Sequence, residues 1–414
     1  MTDISRRSFL KGGIAACATA TFAGSALSAA GQEAPSAPRP RSITMWDFSW
    51  IERRWPGAGF EDWPKALDGL VERGYDAVRI DAFPHLVATA PDKDWTLLPV
   101  WSVNDWGSPA LNKIRVQPGL HDFIGLCRER NVKVGLSTWF REDVEKTRDR
   151  ITSASVMGGM WNATLSGIEK AGLLDSLLYV DLCNEWPGDI WCPFFRNDPP
   201  ELTWGGWYTE RSQKWMREAC EIVRNSFPAV PVGFSFDLRD LGRLAGQNLG
   251  YLDYAEPHLW MAQANDGEFY RLVGYRYDRF SPDSYRSLVE KGEALYRSKP
   301  AYWHGLLKNH ILSTAKALEP HHLPLMTTEC WGLVDFKDWP LLNWNWIKDL
   351  CRTGVETAAG TGQWLAIGTS NFAAPQFRGM WSDVRWHREA NEAIKGSVVR
   401  PELLHTRLGH RLQA

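Results

Sequence analysis

Short apolar runs alternate with longer amphipathic stretches along almost the whole chain, and this rhythm limits the available folds more than any other feature. The runs cover 43–48, 77–80, 133–138, 178–182, 231–236, 254–259, 325–328 and 364–368. Helical stretches such as 63–73, 120–130, 208–226, 284–297, 341–352 and 384–394 lie between them. In the first stretch Leu67, Leu70 and Val71 fall at helical spacing, and Gly74 stands where a helix would stop. Strand–helix alternation predicts a parallel sheet with crossover helices. Eight such units predict a closed (β/α)8 TIM barrel, an α/β fold in a single domain, because no glycine-rich phosphate loop follows the first run: Ser49-Trp50-Ile51-Glu52 stands there.

The longest connections follow strands two, four and six, at 83–118, 186–206 and 260–283. In a barrel these βα loops sit on the C-terminal face, where such folds place their sites. They carry Trp95, Trp101, Trp106, Trp191, Trp204 and Trp207, and the expectation is that they wall a groove. The chain has 23 tryptophans; their flat faces suit stacking on sugar rings, although most aromatic side chains serve packing.

The N-terminus reads as an address. Arg6-Arg7 precede an apolar, alanine-rich stretch at 12–23, and small residues offer a cleavage point near Ala30. This resembles a bacterial twin-arginine export signal, which predicts a periplasmic or secreted protein with the export machinery as a partner. The predicted organisation is a signal at 1–30, a flexible linker at 31–42 rich in Pro, Ala and Ser, a barrel at 43–396 and a C-terminal tail at 397–414. No stable membrane span is expected in the mature chain. A formal net charge of -2 argues against a nucleic-acid partner. Of seven cysteines, Cys17 lies in the signal; the rest show no C-x-x-C spacing, and their pairing stays open. The ten histidines show no H-x-H or H-E-x-x-H spacing, so neither a catalytic metal nor a cofactor is expected. His321 and His322 precede strand seven and are expected at the surface opposite the site.

Two strand ends carry acids. Strand four runs into Cys183-Asn184-Glu185-Trp186, and strand seven into Thr328-Glu329-Cys330-Trp331. At these positions the chain resembles the retaining, cellulase-like clan of barrel glycoside hydrolases. That resemblance implies Glu185 as general acid/base and Glu329 as nucleophile. It implies Arg79, at the end of strand two, as a partner that holds the nucleophile ionised. His258 matches the histidine of the clan's strand-six His-x-Tyr pattern; Trp260 replaces the tyrosine, so the hydrogen bond to the nucleophile must come from the indole N–H or be absent. Strand three lacks the clan's histidine and offers Trp139 instead. Trp50, Asn184, Trp331 and Asn371 are further candidates for binding a carbohydrate substrate, and Asp47, Asp81, His85 and Asp237 are strand-end residues of less specific meaning. Glu256 shares the parity of His258 and is expected in the core.

The resemblance implies double displacement on an oligo- or polysaccharide: two carboxylates facing each other across the barrel mouth, one giving a proton while the other attacks. A non-catalytic carbohydrate-binding barrel is the alternative, and a barrel hydrolase or lyase of other chemistry a third reading.

Overall fold

A computed structural model describes residues 38–101, 105–195, 206–237, 241–244, 246–276, 281–339 and 342–413. The predicted signal, most of the linker and Trp204 lie outside them. Residues 38–414 form one compact unit.

All eight predicted strands form. They are β1 (Arg41–Asp47), β2 (Ala77–Asp81), β3 (Lys133–Ser137), β4 (Leu177–Asp181), β5 in two pieces (Val232–Gly233 and Ser235–Asp237), β6 (Glu256–Trp260), β7 (Leu325–Thr327) and β8 (Trp364–Gly368). The first strand begins at Arg41, inside the predicted linker. Pairing is parallel, in the order β7-β8-β1-β2-β3-β4-β5, and the second piece of β5 continues onto β6. The β6–β7 seam closes through a bridge between Ala255 and Leu325, with Met326 N–H donating to the Ala255 carbonyl at 3.0 Å. The sheet is therefore a closed barrel.

Local rules explain the helices around it. In Trp63–Glu72 the Asp62 carboxylate caps the Lys65 N–H, Pro64 occupies the first turn, and Gly74, at φ +85°, ends the element. Trp63, Ala66, Leu67 and Leu70 face inward, whereas Val71 is 43 % exposed, so the buried stripe follows Leu67 and Leu70 but not Val71. Two long helices, Ala154–Lys170 and Pro300–Leu318, stand beyond those singled out from the sequence. Gly158 lets the first pack tightly on Glu210–Ser226: a Cβ there would lie 2.7 Å from Ile222.

The barrel interior is filled by pairing glycines with tyrosines. A Cβ on Gly135 would strike the Tyr179 ring at 2.5 Å, and one on Gly233 the Tyr254 ring at 2.9 Å. Of the predicted tail, residues 397–413 are described, and they pack on the barrel. A 3-10 turn, Pro401–His405, and the helix Arg407–Gln413 carry Leu403, Leu408 and Leu412 into one apolar cluster with Ile43, Ala77, Leu178 and Met326. These leucines are separated by polar residues, and only the docked helix turns them to one side.

The connection after β2 holds a short helix, Pro84–Thr89, and an antiparallel hairpin, Asp94–Leu97 with Asn112–Arg115. Trp95, Trp106, Trp191 and Trp207 are buried here and in the connection after β4. They pack against neighbours, as Trp106 does on Phe377 and Trp207 on Phe236, instead of presenting open faces to a groove. His322 is exposed and His321 partly so.

Candidate active site

The site is built where β2, β4, β6 and β7 end. Arg79 lies at its centre, fully buried. Its Nη1 donates to Thr328 Oγ1 at 2.8 Å and to Glu329 Oε1 at 3.4 Å. Its Nη2 donates to Asn184 Oδ1 at 2.7 Å, Ser137 Oγ at 2.9 Å and the Asp181 carboxylate. Glu256 Oε1 is 3.6 Å away. Nη2 also donates to Ser235 Oγ at 3.2 Å, so one planar fork orders residues from five strands, a task for which a lysine's point charge would not serve. Burial acts to lower the Arg79 guanidinium, but Glu256 and Asp181 more than offset it and raise it above its ordinary value.

Glu185 and Glu329 face each other through His258. His258 Nδ1 lies 3.0 Å from Glu185 Oε1 and 3.6 Å from Glu329 Oε2. One ligand atom from each of these three residues lies within 4.8 Å of the other two. The His258 Nε2 atom has no hydrogen-bond partner among the described residues. A buried N–H left unpaired costs more than an unpaired lone pair, so the ring proton belongs on Nδ1, donated toward the carboxylates. Burial lowers the His258 pKa against the raising effect of Glu329, which keeps the imidazole neutral.

Glu329 departs from expectation. Burial pushes its carboxyl up to about 7; Glu185 adds to the rise, while His258 and Arg79 oppose it. Arg79 touches Glu329 as predicted but does not hold it below the usual carboxylate range, because its charge is already shared with Asp181 and Glu256. Glu256 is likewise raised to about 7, first by burial and then by Asp181, with Arg79 opposing. It is fully buried and accepts from Thr328 Oγ1 at 2.6 Å, a core group beneath the site.

The floor of the site contains residues that the sequence did not single out. Asp181 Oδ2 accepts from Ser137 Oγ at 2.7 Å and Ser235 Oγ at 2.9 Å. Ser235 Oγ in turn accepts the Glu185 N–H at 3.0 Å. Glu185 is held at φ +46°, in the left-handed region that few non-glycine residues occupy. The shared parity of Tyr179 and Asp181 on β4 was the available signal for an inward acid.

The remaining candidates divide. Trp139 lies beside Arg79: its ring is 4.8 Å from the guanidinium, and its backbone N–H donates to Asp81 Oδ2 at 3.0 Å. Trp260 stands edge-on to His258 with centroids 5.8 Å apart, and its indole N–H has no partner among the described residues. The bond from that indole to the nucleophile is therefore absent. Asn371 spends its amide N–H on the Val334 carbonyl at 3.1 Å, and its Oδ1 has no partner among the described residues. Trp50 and Trp331, expected to bind the substrate, are packing residues instead. Trp50 is fully buried, donates to the Asp81 carbonyl at 2.9 Å and packs on Trp63 and Phe123. Trp331 is fully buried, donates to the Gly368 carbonyl at 2.8 Å and lies so close to the helix Asn345–Gly360 that a Cβ on Gly354 would strike it at 2.4 Å. Both rings pack in the protein body and offer no face to a ligand.

Asp47, Asp81 and His85 are also buried. Asp47 accepts from the Ser49 N–H, Asp81 from the Phe83 N–H at 2.7 Å, and His85 Nε2 lies 3.0 Å from the Arg141 carbonyl; they shape loop entries. Asp237 ends β5 and is 5 % exposed. The group Glu185, His258 and Glu329 has donors of the kind that hold a divalent cation. Sequence spacing gives no hint of it, because each residue comes from a different strand.

A closed eight-stranded βα barrel with paired glutamates at the ends of strands four and seven defines the class of cellulase-like barrel proteins. Within it, this chain belongs to the sugar-binding cellulase-like family, whose sequence profile matches residues 43–395. The twin-arginine signal profile matches residues 3–23, so the protein is exported across a membrane. No helix among the described residues is long and apolar enough to cross one. No curated protein matches the chain by sequence. Among solved structures it is similar to a Parabacteroides distasonis protein for which glycoside hydrolase activity is itself a proposal. That match has a TM-score of 0.88 at 50 % identity, over 91 % of this chain and 99 % of the other. More remote likenesses include a β-glycosidase, with a TM-score of 0.49 and 10 % identity over 87 % and 97 % of the two chains. An endoglucanase gives 0.48 and 12 % over 86 % and 97 %.

Proposed function

We propose that the protein is a retaining glycoside hydrolase acting on an oligo- or polysaccharide outside the cytoplasm, in the periplasm or secreted. The observation that carries this reading is the spacing of Glu185 and Glu329, which reach within 4.8 Å of each other and of His258. Carboxyl groups about 5–5.5 Å apart leave no room for a water between the second carboxylate and the sugar, and favour direct attack.

In the first step Glu185 gives its proton to the leaving glycosidic oxygen while Glu329 attacks the anomeric carbon, forming a glycosyl ester. In the second, Glu185 takes a proton from water, the water oxygen bonds to the anomeric carbon, and Glu329 leaves as a carboxylate. The two acids share a neighbourhood in which a single proton on the pair is favoured over two negative charges. His258 hydrogen-bonds that arrangement, and Arg79 compensates the charge of Glu329 when it is ionised. Trp139, the unpaired Trp260 N–H, the Asn184 amide and Asn371 Oδ1 are groups for sugar hydroxyls.

The test is a panel of chromogenic glycosides and polysaccharides with the mature protein, followed by NMR of the anomer first released from an active substrate. The expected product retains configuration, and Glu185→Ala and Glu329→Ala lose turnover. An inverted product, or normal hydrolysis by either variant, rejects the assignment; binding without hydrolysis across the panel favours a non-catalytic sugar-binding barrel.

A further inference from the structure

Six cysteines lie among the described residues, all buried. Two of them meet: Cys183 Sγ and Cys192 Sγ are 3.1 Å apart, closer than two non-bonded sulfurs normally rest. Both are fully buried. Cys183 lies two residues beyond Asp181, the last residue of β4, and precedes Asn184 and Glu185. Cys192 closes the turn that follows, in which the Gly188 N–H donates to the Glu185 carbonyl at 2.7 Å and the Cys192 N–H to the Gly188 carbonyl at 2.8 Å. The turn thus brings the two thiols together by its own backbone bonds, with the residue at φ +46° between them.

We propose that Cys183 and Cys192 form a disulfide in the exported protein, a covalent strap across the turn that carries Glu185. The compartment supplies the condition: twin-arginine export delivers the chain to an environment where disulfides persist. The oxidant is a disulfide, either of a thiol-oxidising protein or of a small thiol. One cysteine thiolate attacks it, releasing a first thiol and leaving a mixed disulfide; the second thiolate displaces the other half. Two protein thiols are oxidised, one oxidant disulfide is reduced to two thiols, and electrons and protons balance. Access comes from the loop side, where Pro193 and Phe194 beside Cys192 are only partly buried. Burial pushes the Cys183 thiol well above its usual pKa, and the Cys192 sulfur adds to the rise. The pair is neutral both as dithiol and as disulfide, so burial does not oppose the bond, which is independent of whether the two glutamates hydrolyse sugars.

The test uses the full chain, recovered after export, denatured without reductant and treated with a thiol-alkylating reagent. Trypsin cuts after Lys170 and Arg196, so one peptide holds Cys183 and Cys192 and no other cysteine. The expected peptide is two hydrogens lighter than the dithiol and resists alkylation until reduced, while the other cysteines alkylate at once. A fully alkylated 171–196 peptide overturns the proposal. In an exported Cys192→Ala variant every remaining cysteine should alkylate without reduction; a protected pair in that variant shows that another bond forms, and also overturns it. Mass and labelling are read on denatured chains, so neither result depends on substrate, activity or the stability of the variant.

Discussion

The two ends of the barrel hold together in opposite ways. At the base, Leu403, Leu408 and Leu412 cover Ile43, Ala77, Leu178 and Met326, and two tyrosines fill the space left by two glycines. At the mouth, Asp181, Glu256 and Glu329 surround one guanidinium. The first four strands leave through left-handed residues: Asp47, Phe83, Phe140 and Glu185. The base gains stability from apolar area removed from water. The mouth loses some, because excess negative charge is confined there and left-handed backbone at non-glycine residues costs free energy. Carboxyl groups are kept in a state they would not choose in water, and the apolar base offsets the cost.

This contrast is open to direct attack. Glu185→Ala and Glu329→Ala should each lower turnover by at least ~10³-fold with the fold intact, checked by steady-state kinetics beside circular dichroism. A loss of only a few-fold would remove the functional reason for the strained mouth. Arg79→Met should destabilise by about 3–5 kcal/mol, because three buried carboxylates lose their cation; urea unfolding measures it. Leu408→Ala at the base should cost about 2–4 kcal/mol and leave kcat per folded molecule unchanged. A large fall in kcat would show that base and mouth are coupled.

The smallest effect tests the sign of the mouth's electrostatics. Glu329 and Glu256 have folded pKa values near 7, above those of an unfolded glutamate. The folded state therefore binds their protons more tightly, and their contribution to stability is lost as pH rises from about 4.5 through 7. Glu329→Gln should accordingly gain about 1–2 kcal/mol relative to the parent at pH 8 compared with pH 5, read by thermal melts at both values. The same titration predicts that kcat/KM of the parent falls as pH drops below about 7, because the nucleophile becomes protonated. A flat acid limb would mean that Glu329 stays ionised and that Arg79 outweighs burial.

Much of the mouth was legible beforehand, and for a definite reason. Asn184-Glu185 and Glu329 follow strand ends, Arg79 and His258 lie within β2 and β6, and a parallel barrel carries every strand's C-terminal end to one face. Trp50 and Trp331 sit near strand ends as well, yet both rings turn into the packing between barrel and helices. Proximity along the chain does not fix the direction of a side chain. Trp95, Trp106, Trp191 and Trp207 in the loops behave in the same way, since an indole that suits a sugar also satisfies a hydrophobic cluster.

By itself the sequence determined the alternation of elements, the export signal and the strand ends at which the two acids emerge. These follow from local periodicity and motif, which act over a few residues. The tertiary structure alone decided that Asp181, Ser235 and Thr328 brace the acids, that the last residues close the base, and that Cys183 meets Cys192. Contacts across strands depend on register and barrel stagger, and burial depends on what packs above. The pKa of Glu329 was settled by that burial, against the charge of the arginine beside it.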